Sequence, residues 1–178
     1  YDIGGGTTDA SLLYIANGGI SVSATAGDDH LGGADFDDRI FALIYDKVAA
    51  VTRVGPGTCT NSTLRVEGEE AKKRLSKTDA TTVACVADGG GEVQVEVTRE
   101  EFERASQDLF DRAMAPVRTV LEGAMMEPEH VNDVVLVGGA SRTPRLREIL
   151  GELFGAEKLR KDIDPDLTVA HGAANIRD

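Results

Sequence analysis

Along the first third of the chain, β-forming residues come in short runs broken by glycine. Residues 1–3, 9–13 and 20–26 are predicted as strands, and Asn17, Gly18 and Gly19 supply the positive-φ positions that a tight hairpin needs. From Asp35 the period changes: Phe36, Ile40, Leu43, Ile44 and Val48 fall on one face at helical spacing, with Asp and Arg between them. Residues 51–62 hold Pro56, two glycines and a Thr/Asn/Ser cluster, the composition of a loop at a corner between helices. The next helix is expected over 63–76, weakened at Gly68 by roughly 1 kcal/mol relative to alanine. β-formers then alternate over 81–87 and 92–97 around Asp88, Gly89, Gly90 and Gly91, which predicts a hairpin with a loose turn.

Thr98 and Glu101 make a capping box, whose side chains satisfy the free amides at a helix start. Behind it Phe102, Ser106, Leu109, Phe110, Ala113, Val117, Val120, Leu121 and Ala124 repeat at helical spacing, and Pro116 should kink that helix or divide it in two. The apolar run 134–137, ended by Gly138 and Gly139, reads as a buried strand. Pro144 opens a helix through Phe154, and a last helix is expected over 167–176. The order reads as one core, residues 1–30 with 112–178, interrupted by a second subdomain over 31–111. The first strand, beginning at Tyr1, runs at once into a turn, so the chain reads as a piece excised from something longer.

With 178 residues and 41% apolar content, one sizeable core or two small ones can be buried. The net charge of -12 repels a phosphate backbone, so no nucleic-acid partner is expected. Apolar runs fall far short of the roughly 20 residues that cross a bilayer, and no signal-like segment opens the chain, so no membrane partner is expected either. Cys59 and Cys85 lack the spacing of a zinc or redox motif and are expected to be unpaired, reduced thiols, which favours an interior, reducing compartment.

Three segments could carry chemistry. In DIGGGTTD, residues 2–9, three consecutive glycines remove every Cβ from the turn between two strands, so a phosphate could approach the backbone N–H groups. Thr7 adds a hydroxyl, and Asp2 and Asp9 bracket the turn where a carboxylate could hold hydrated magnesium or orient an attacking water. In VLVGGASR, residues 135–142, a strand ends in glycines before a helix, and Arg142 could lay its guanidinium on an aromatic base. In GEEAKKRLS, residues 68–76, Glu69, Lys72, Lys73 and Ser76 lie along one helical stripe that could grip a ribose and a base edge, although a solvated face explains them as well. His30, His130 and His171 show no zinc-site spacing, and Ser141 lacks the setting of a nucleophile.

Taken together, these segments resemble the ATPase domain of heat-shock protein 70 chaperones, specifically its second lobe. The likeness runs through DIGGGTTD, TAGDDHLGGADFDDR (25–39), EEAKKRLS (69–76), VTREEFE (97–103), DVVLVGGASRTPRLREIL (133–150) and DPDLTVAHGAA (164–174), in that order. It implies an α/β fold of the actin-like, ribonuclease H-like kind. A mixed five-stranded sheet with helices would form subdomain IIA (1–30 and 112–178), and a smaller inserted α+β subdomain would form IIB (31–111).

By the same resemblance ATP or ADP is held with magnesium. Gly5, Gly6 and Thr7 take the phosphates, Asp2 reaches the metal through water, Asp9 with Thr7 serves the attacking water, and Gly33 approaches from the insert. Glu69, Lys72, Lys73 and Ser76 would contact the nucleoside, Gly139 and Arg142 would close its other side, and Asp166 would lie near the base. Implied partners are unfolded polypeptides bound by a further C-terminal domain, J-domain cochaperones, nucleotide exchange factors and the first lobe of the same domain. The implied compartment is the cytoplasm, with an organellar matrix or lumen left open. Without a first lobe, phosphates and metal would be clamped from too few sides for turnover.

The chain departs from the family pattern at Ala34, where glutamate is usual, at Ala140, where serine is usual, and at Leu167, where an acidic residue is usual. The insert is also poor in basic residues over 63–68. These departures suggest a divergent member, and a regulatory relative that binds ATP without hydrolysing it is an alternative. A bacterial actin-like filament protein is another, since DIGGGTTD suits that group too; a sugar kinase fits less well.

Overall fold

The computed structural model describes residues 1–16, 19–52, 59–87, 89–160 and 163–174. In chain order its elements are β1 (Asp2–Ile3), β2 (Thr8–Ala16), β3 (Gly19–Asp28), α1 (Gly33–Val51), α2 (Asn61–Leu75), β4 (Ala80–Val86), β5 (Glu92–Thr98), α3 (Arg99–Ala105), α4 (Gln107–Ala113), α5 (Ala115–Gly123), α6 (Pro144–Phe154) and α7 (Thr168–Ala174). Contacts divide the chain into two compact units: Tyr1–Gly33 with Asp108–Asp178, and Ala34–Gln107. Among the described residues no helix is long and apolar enough to cross a membrane.

In the first unit β1, β2 and β3 form an antiparallel sheet in that order. Thr8 and Ala10 are buried and Asp9 is exposed, as the alternation of a strand requires. α5 packs on β2 and β3. Its Val117, Val120 and Leu121 share a core with Ala10, Leu136, Leu150 and Phe154. A bulge after Leu12 shifts the register so that Leu13 pairs with Val22 and Ile15 with Ile20, four exposed apolar side chains near the hairpin tip. At the tip, Asn17 and Gly18 lie outside the described residues.

The run 134–137 is not a regular strand, contrary to the expectation from its apolar content. Val137 bridges Asp2 and Val134 bridges Leu159, both in parallel. The two contacts sit at opposite ends of the run, so neither side reaches consecutive bridges. What is regular is a three-stranded antiparallel sheet, extended by single-bridge contacts where a mixed five-stranded sheet was expected.

The long helical pattern after residue 98 is three helices rather than one helix kinked or divided in two. Pro116 stands in the first turn of α5, where its missing N–H is harmless, and the chain breaks at Met114 just before it. A second break falls at Ser106, which has φ -110° and ψ 10° and which no glycine or proline marks. The capping box is present: Thr98 Oγ1 accepts from the Glu101 N–H at 3.2 Å, and Glu101 Oε2 accepts from the Thr98 N–H at 2.9 Å. The final helix is described from Thr168 to Ala174; residues 175–176 of its expected span lie outside the described residues.

The second unit buries Phe36, Ile40, Ile44 and Val48 of α1 with Leu64, Ala71 and Leu75 of α2, Val83 and Cys85 of β4, Val95 and Val97 of β5, and Phe102 of α3. The hairpin of β4 and β5 turns through Gly89 and Gly90, both at positive φ, while Asp88 lies outside the described residues. The expectation of free thiols is overturned. Cys59 and Cys85 form a disulfide with Cα atoms 5.1 Å apart. No spacing rule could show this, because the two cysteines are 26 residues apart and tertiary folding brings the Cys59 N–H to Val86 O (3.2 Å), next to Cys85. With the two cysteines bonded, they no longer favour a reducing compartment. Half of the expected corner loop, 53–58, lies outside the described residues.

Gly68 lies where α2 approaches α1, and a Cβ built there would be 3.6 Å from Ile40 Cγ2 and from the Phe41 backbone, an ordinary contact. Alanine therefore fits without displacement and removes the helix penalty of glycine. Gly68→Ala is expected to stabilise the second unit by about 0.5–1 kcal/mol, read as a higher denaturant midpoint with an unchanged slope. A loss of stability would show that the two helices leave less room than this spacing implies.

Candidate functional site

β1 and β2 are joined by Gly4, Gly5, Gly6 and Thr7, and the Gly4 N–H donates to Thr7 O at 3.0 Å. Gly5, Gly6 and Thr7 are exposed. A Cβ added at Gly5 or Gly6 would meet nothing within 4 Å, and neither residue has a positive φ. Among the described residues nothing therefore requires glycine at these two positions, although each glycine loses more conformational entropy on folding than any other residue would. The open side of this turn is where an external group could come close to the backbone.

The turn is held from behind by the segment before α1. Thr8 is fully buried, and its hydroxyl donates to Leu31 O at 2.8 Å. The Gly33 N–H donates to Gly4 O at 2.8 Å, so this amide is already engaged. Gly32 packs on the Gly5–Gly6 peptide: a Cβ there would be 2.4 Å from Gly6 N and 2.5 Å from Gly5 C. Sequence reading singled out Gly33 and passed over Thr8 and Gly32. The signal it could have used was the second threonine of the motif and the first glycine of the Gly-Gly pair.

Asp2 and Asp9 face each other directly across β1 and β2, so both carboxylates lie on one face of the sheet. Asp9 in turn pairs with Gly27, where a Cβ would sit 2.4 Å from Asp9 Oδ1; the glycine leaves the carboxylate its place. Like charges directly opposite are unfavourable in a ladder, and a hydrated divalent cation or a polarised water relieves them. Among the described residues no three Asp, Glu, His or Cys side chains converge as a ligand cage. The donor set thus suits magnesium, which keeps most of its water, better than a dehydrated metal.

The second loop leaves from the same end. The Ile3 N–H donates to Val137 O at 3.0 Å and the Val137 N–H to Tyr1 O at 2.8 Å, so β1 and the run ending at Val137 lie side by side in parallel. Both glycine loops follow carboxyl ends of these neighbours, the place where open α/β sheets take ligands. Gly138 has φ 80° and abuts β1: a Cβ would lie 2.4 Å from Ile3 O and 2.7 Å from Asp2 Oδ1. A short 3-10 turn, Gly139–Arg142, follows. Ser141 is buried, and its hydroxyl donates to Gly138 O at 2.7 Å.

Arg142 donates to Asp166 Oδ2 at 2.9 Å and to Asp164 Oδ1 at 2.5 Å. Those partners, Asp166 first, raise its already high pKa, so its charge is permanent. A Cβ at Gly139 would be 3.4 Å from Asp166 Oδ1. The structure thus brings Asp2, Gly5, Gly6, Thr7, Asp9, Gly33, Gly139, Arg142 and Asp166 into the first unit.

Glu69, Lys72, Lys73 and Ser76 belong to the second unit, at α2 and its C-cap. Lys72 pairs with Asp37 at 2.7 Å, and Lys73 with Glu69 at 2.8 Å and Glu70 at 2.9 Å. Glu69 and then Glu70 hold Lys73 above the usual lysine range, and Lys73 depresses Glu69. Burial raises the Asp37 carboxyl, with Lys72 opposing. Ser76 Oγ donates to Lys72 O at 3.3 Å. These charges have partners within their own unit: Lys73–Glu69 is an exposed i,i+4 pair of the kind a solvated face carries, while Lys72 is part-buried against Asp37 of α1.

A separate open groove of about 380 Å³ lies between the end of β3 and the start of α5, lined by Asp28, Asp29, His30, Pro116 and Thr119 among others. It contains none of the expected site residues. Its lining residue Asp28 is gripped by Arg112, with Nε at 2.6 Å and Nη2 at 2.8 Å, which holds that carboxyl below its ordinary range.

The family described as Hsp70 protein matches residues 1–177. The chain is 43% identical over 175 residues to a chaperone protein HscA homolog of Aromatoleum aromaticum, covering 98% of this chain and 27% of that protein. It is 40% identical over 177 residues to a heat shock protein of Pyricularia oryzae, covering 98% of this chain and 29% of that protein. A ribosome-associated molecular chaperone of Eremothecium gossypii is 38% identical over 178 residues, with the same 98% and 29% coverage. The chain therefore spans a little over a quarter of the length of these curated relatives.

Proposed function

The chain belongs to the Hsp70 family of chaperones, and from that premise we propose that it is the second lobe of an actin-like ATPase domain, binding ATP or ADP with magnesium. Its two compact units would correspond to subdomains IIA and IIB. In a longer protein, nucleotide turnover at this lobe and a first lobe would be coupled to the binding of unfolded polypeptides, with J-domain cochaperones and exchange factors acting on the cycle.

The observation that carries this reading is the glycine turn, whose Gly5 and Gly6 have no steric reason within the chain to be glycine. Backbone N–H groups of Gly5, Gly6 and Thr7 would receive phosphate oxygens. Asp2 would hold a water of the metal shell, and Asp9 would orient the attacking water from the same face. Magnesium, when bound, supplies neutralisation of the charge that develops on the phosphates. Arg142, fixed by Asp164 and Asp166, would present its guanidinium plane to the base, with Gly139 beside it. The assignment of Glu69, Lys72, Lys73 and Ser76 to the nucleoside rests on the family resemblance alone.

Gly5→Ala and Gly6→Ala separate binding from folding. Each is expected to keep or slightly raise the unfolding midpoint, because the new methyl touches nothing and alanine loses less backbone entropy on folding, and to weaken MgADP binding about tenfold or more by calorimetric titration. Unchanged affinity in both variants would remove the phosphate role from this turn. The departures at Ala34, Ala140 and Leu167 favour one second reading, a regulatory relative that keeps ATP as a structural ligand. Single-turnover hydrolysis by the longer protein decides between the two.

A further inference from the structure

α2 is held in the second unit by few apolar side chains. Its buried positions are Leu64, Gly68, Ala71 and Leu75, so only two large side chains anchor it. The helix is weakened at its middle by Gly68. Its two ends are secured differently. At the C-terminal end, Arg99 donates to Leu75 O at 2.8 Å and to Thr78 O at 2.9 Å, and Arg74 Nε donates to Thr81 Oγ1 at 2.8 Å. At the N-terminal end, the Thr60 cap accepts from the Thr63 N–H at 3.2 Å, and Cys59 just before it is bonded covalently to Cys85 of β4. The bridge spans 26 residues and encloses the whole of α2.

We propose that the Cys59–Cys85 bond is a reversible latch on the N-terminal half of α2, opened by a small dithiol and closed by a small disulfide. Both cysteines are buried, Cys59 at 1% and Cys85 at 6% relative exposure, with Val86 beside Cys85 at 40%. Cys85 is thus the more approachable. In opening, a dithiol's thiolate attacks Cys85 Sγ, the Sγ–Sγ bond breaks, and Cys59 leaves as a thiolate that takes up a proton. The reagent's second thiolate then displaces Cys85 from the mixed disulfide. The protein gains two thiols and the reagent becomes a cyclic disulfide. Closing runs the same exchange in reverse, with the small disulfide as oxidant.

Once open, the first turns of α2 keep Leu64, the Thr60 cap, the Cys59 N–H to Val86 O bond and the exposed contacts of Arg65 with Asp38 and the Phe41 ring, surface contacts that contribute little, while the last turns keep the polar ties from Arg99 and Arg74 and the half-buried Lys72–Asp37 pair. The loosening is therefore one-sided. The test compares the unmutated chain equilibrated with dithiothreitol or with oxidised glutathione, its thiols counted by alkylation and intact mass, and its amides followed by hydrogen exchange. Amides over 61–68 are expected to exchange about tenfold or more faster in the reduced form, and those over 69–75 and Arg99–Ala105 to change little. A Cys59→Ser/Cys85→Ser variant should exchange like the reduced form and ignore oxidant. Two alkylatable thiols in every condition, equal exchange of α2 in both forms, or loss of protection throughout the second unit on reduction would each overturn the latch.

Discussion

Alanine at position 138 is expected to lower the stability of the chain by about 3 kcal/mol, while alanine at the adjacent Gly139 costs less than about 1 kcal/mol. Two effects combine at Gly138. Its φ of 80° with ψ of 146° is a backbone conformation nearly confined to glycine, which costs an L-residue on the order of 1–3 kcal/mol. Its Cβ would also fall 2.4 Å from Ile3 O and 2.7 Å from Ile3 C, backbone atoms with no side-chain freedom to withdraw. Relief would require moving residue 138 away from β1. That would strain the Ile3 N–H to Val137 O bond (3.0 Å) that joins the two site loops. At Gly139 the nearest atom is Asp166 Oδ1, 3.4 Å away at the end of a side chain that can turn. Chemical denaturation of the two variants side by side checks the difference, and equal losses would show that the close approach to β1 is not what position 138 depends on.

Gly32→Ala is expected to cost a comparable amount, about 3 kcal/mol, and to abolish measurable MgADP binding as well. The methyl would be 2.4 Å from Gly6 N, 2.5 Å from Gly5 C and 2.6 Å from Gly5 O, inside the very peptide proposed to receive a phosphate. The glycine turn would have to shift, and with it the Gly33 N–H to Gly4 O bond and the buried Thr8 hydroxyl at Leu31 O. Gly5→Ala alters the same turn from its open side, where nothing is displaced. The pair of variants therefore forms a control in which one position affects folding and binding and the other affects binding alone. A Gly32→Ala chain with native unfolding behaviour would mean that the turn tolerates displacement, and the preorganisation argued for it would fail.

The two Gly-Gly pairs show how far the motifs were legible. Sequence reading gave a ligand role to the second member of each, Gly33 and Gly139. In the structure the first member of each, Gly32 or Gly138, leaves no room for a Cβ. Spacing identifies a glycine turn, but which glycine touches another strand depends on atoms about thirty positions away in one case and more than a hundred in the other. The stripe on α2 was legible as a face, yet its partner Asp37 lies on a different helix. Only the packing of α1 against α2 could show that Lys72 is already paired.

By itself the sequence determined what short-range periodicity and capping control: the strands and hairpins, the amphipathic face of α1, the extent of α6, the Thr98–Glu101 cap and the order of the family's motifs. Those features follow from interactions within a few residues, where side-chain spacing carries the information. Tertiary structure decided the Cys59–Cys85 bond, the break at Ser106, the single-bridge pairing of 134–137 and the two obligatory glycines. Each of these depends on how the folded chain packs, and most turn on contacts between segments far apart in sequence, whose distances are set only when the core closes.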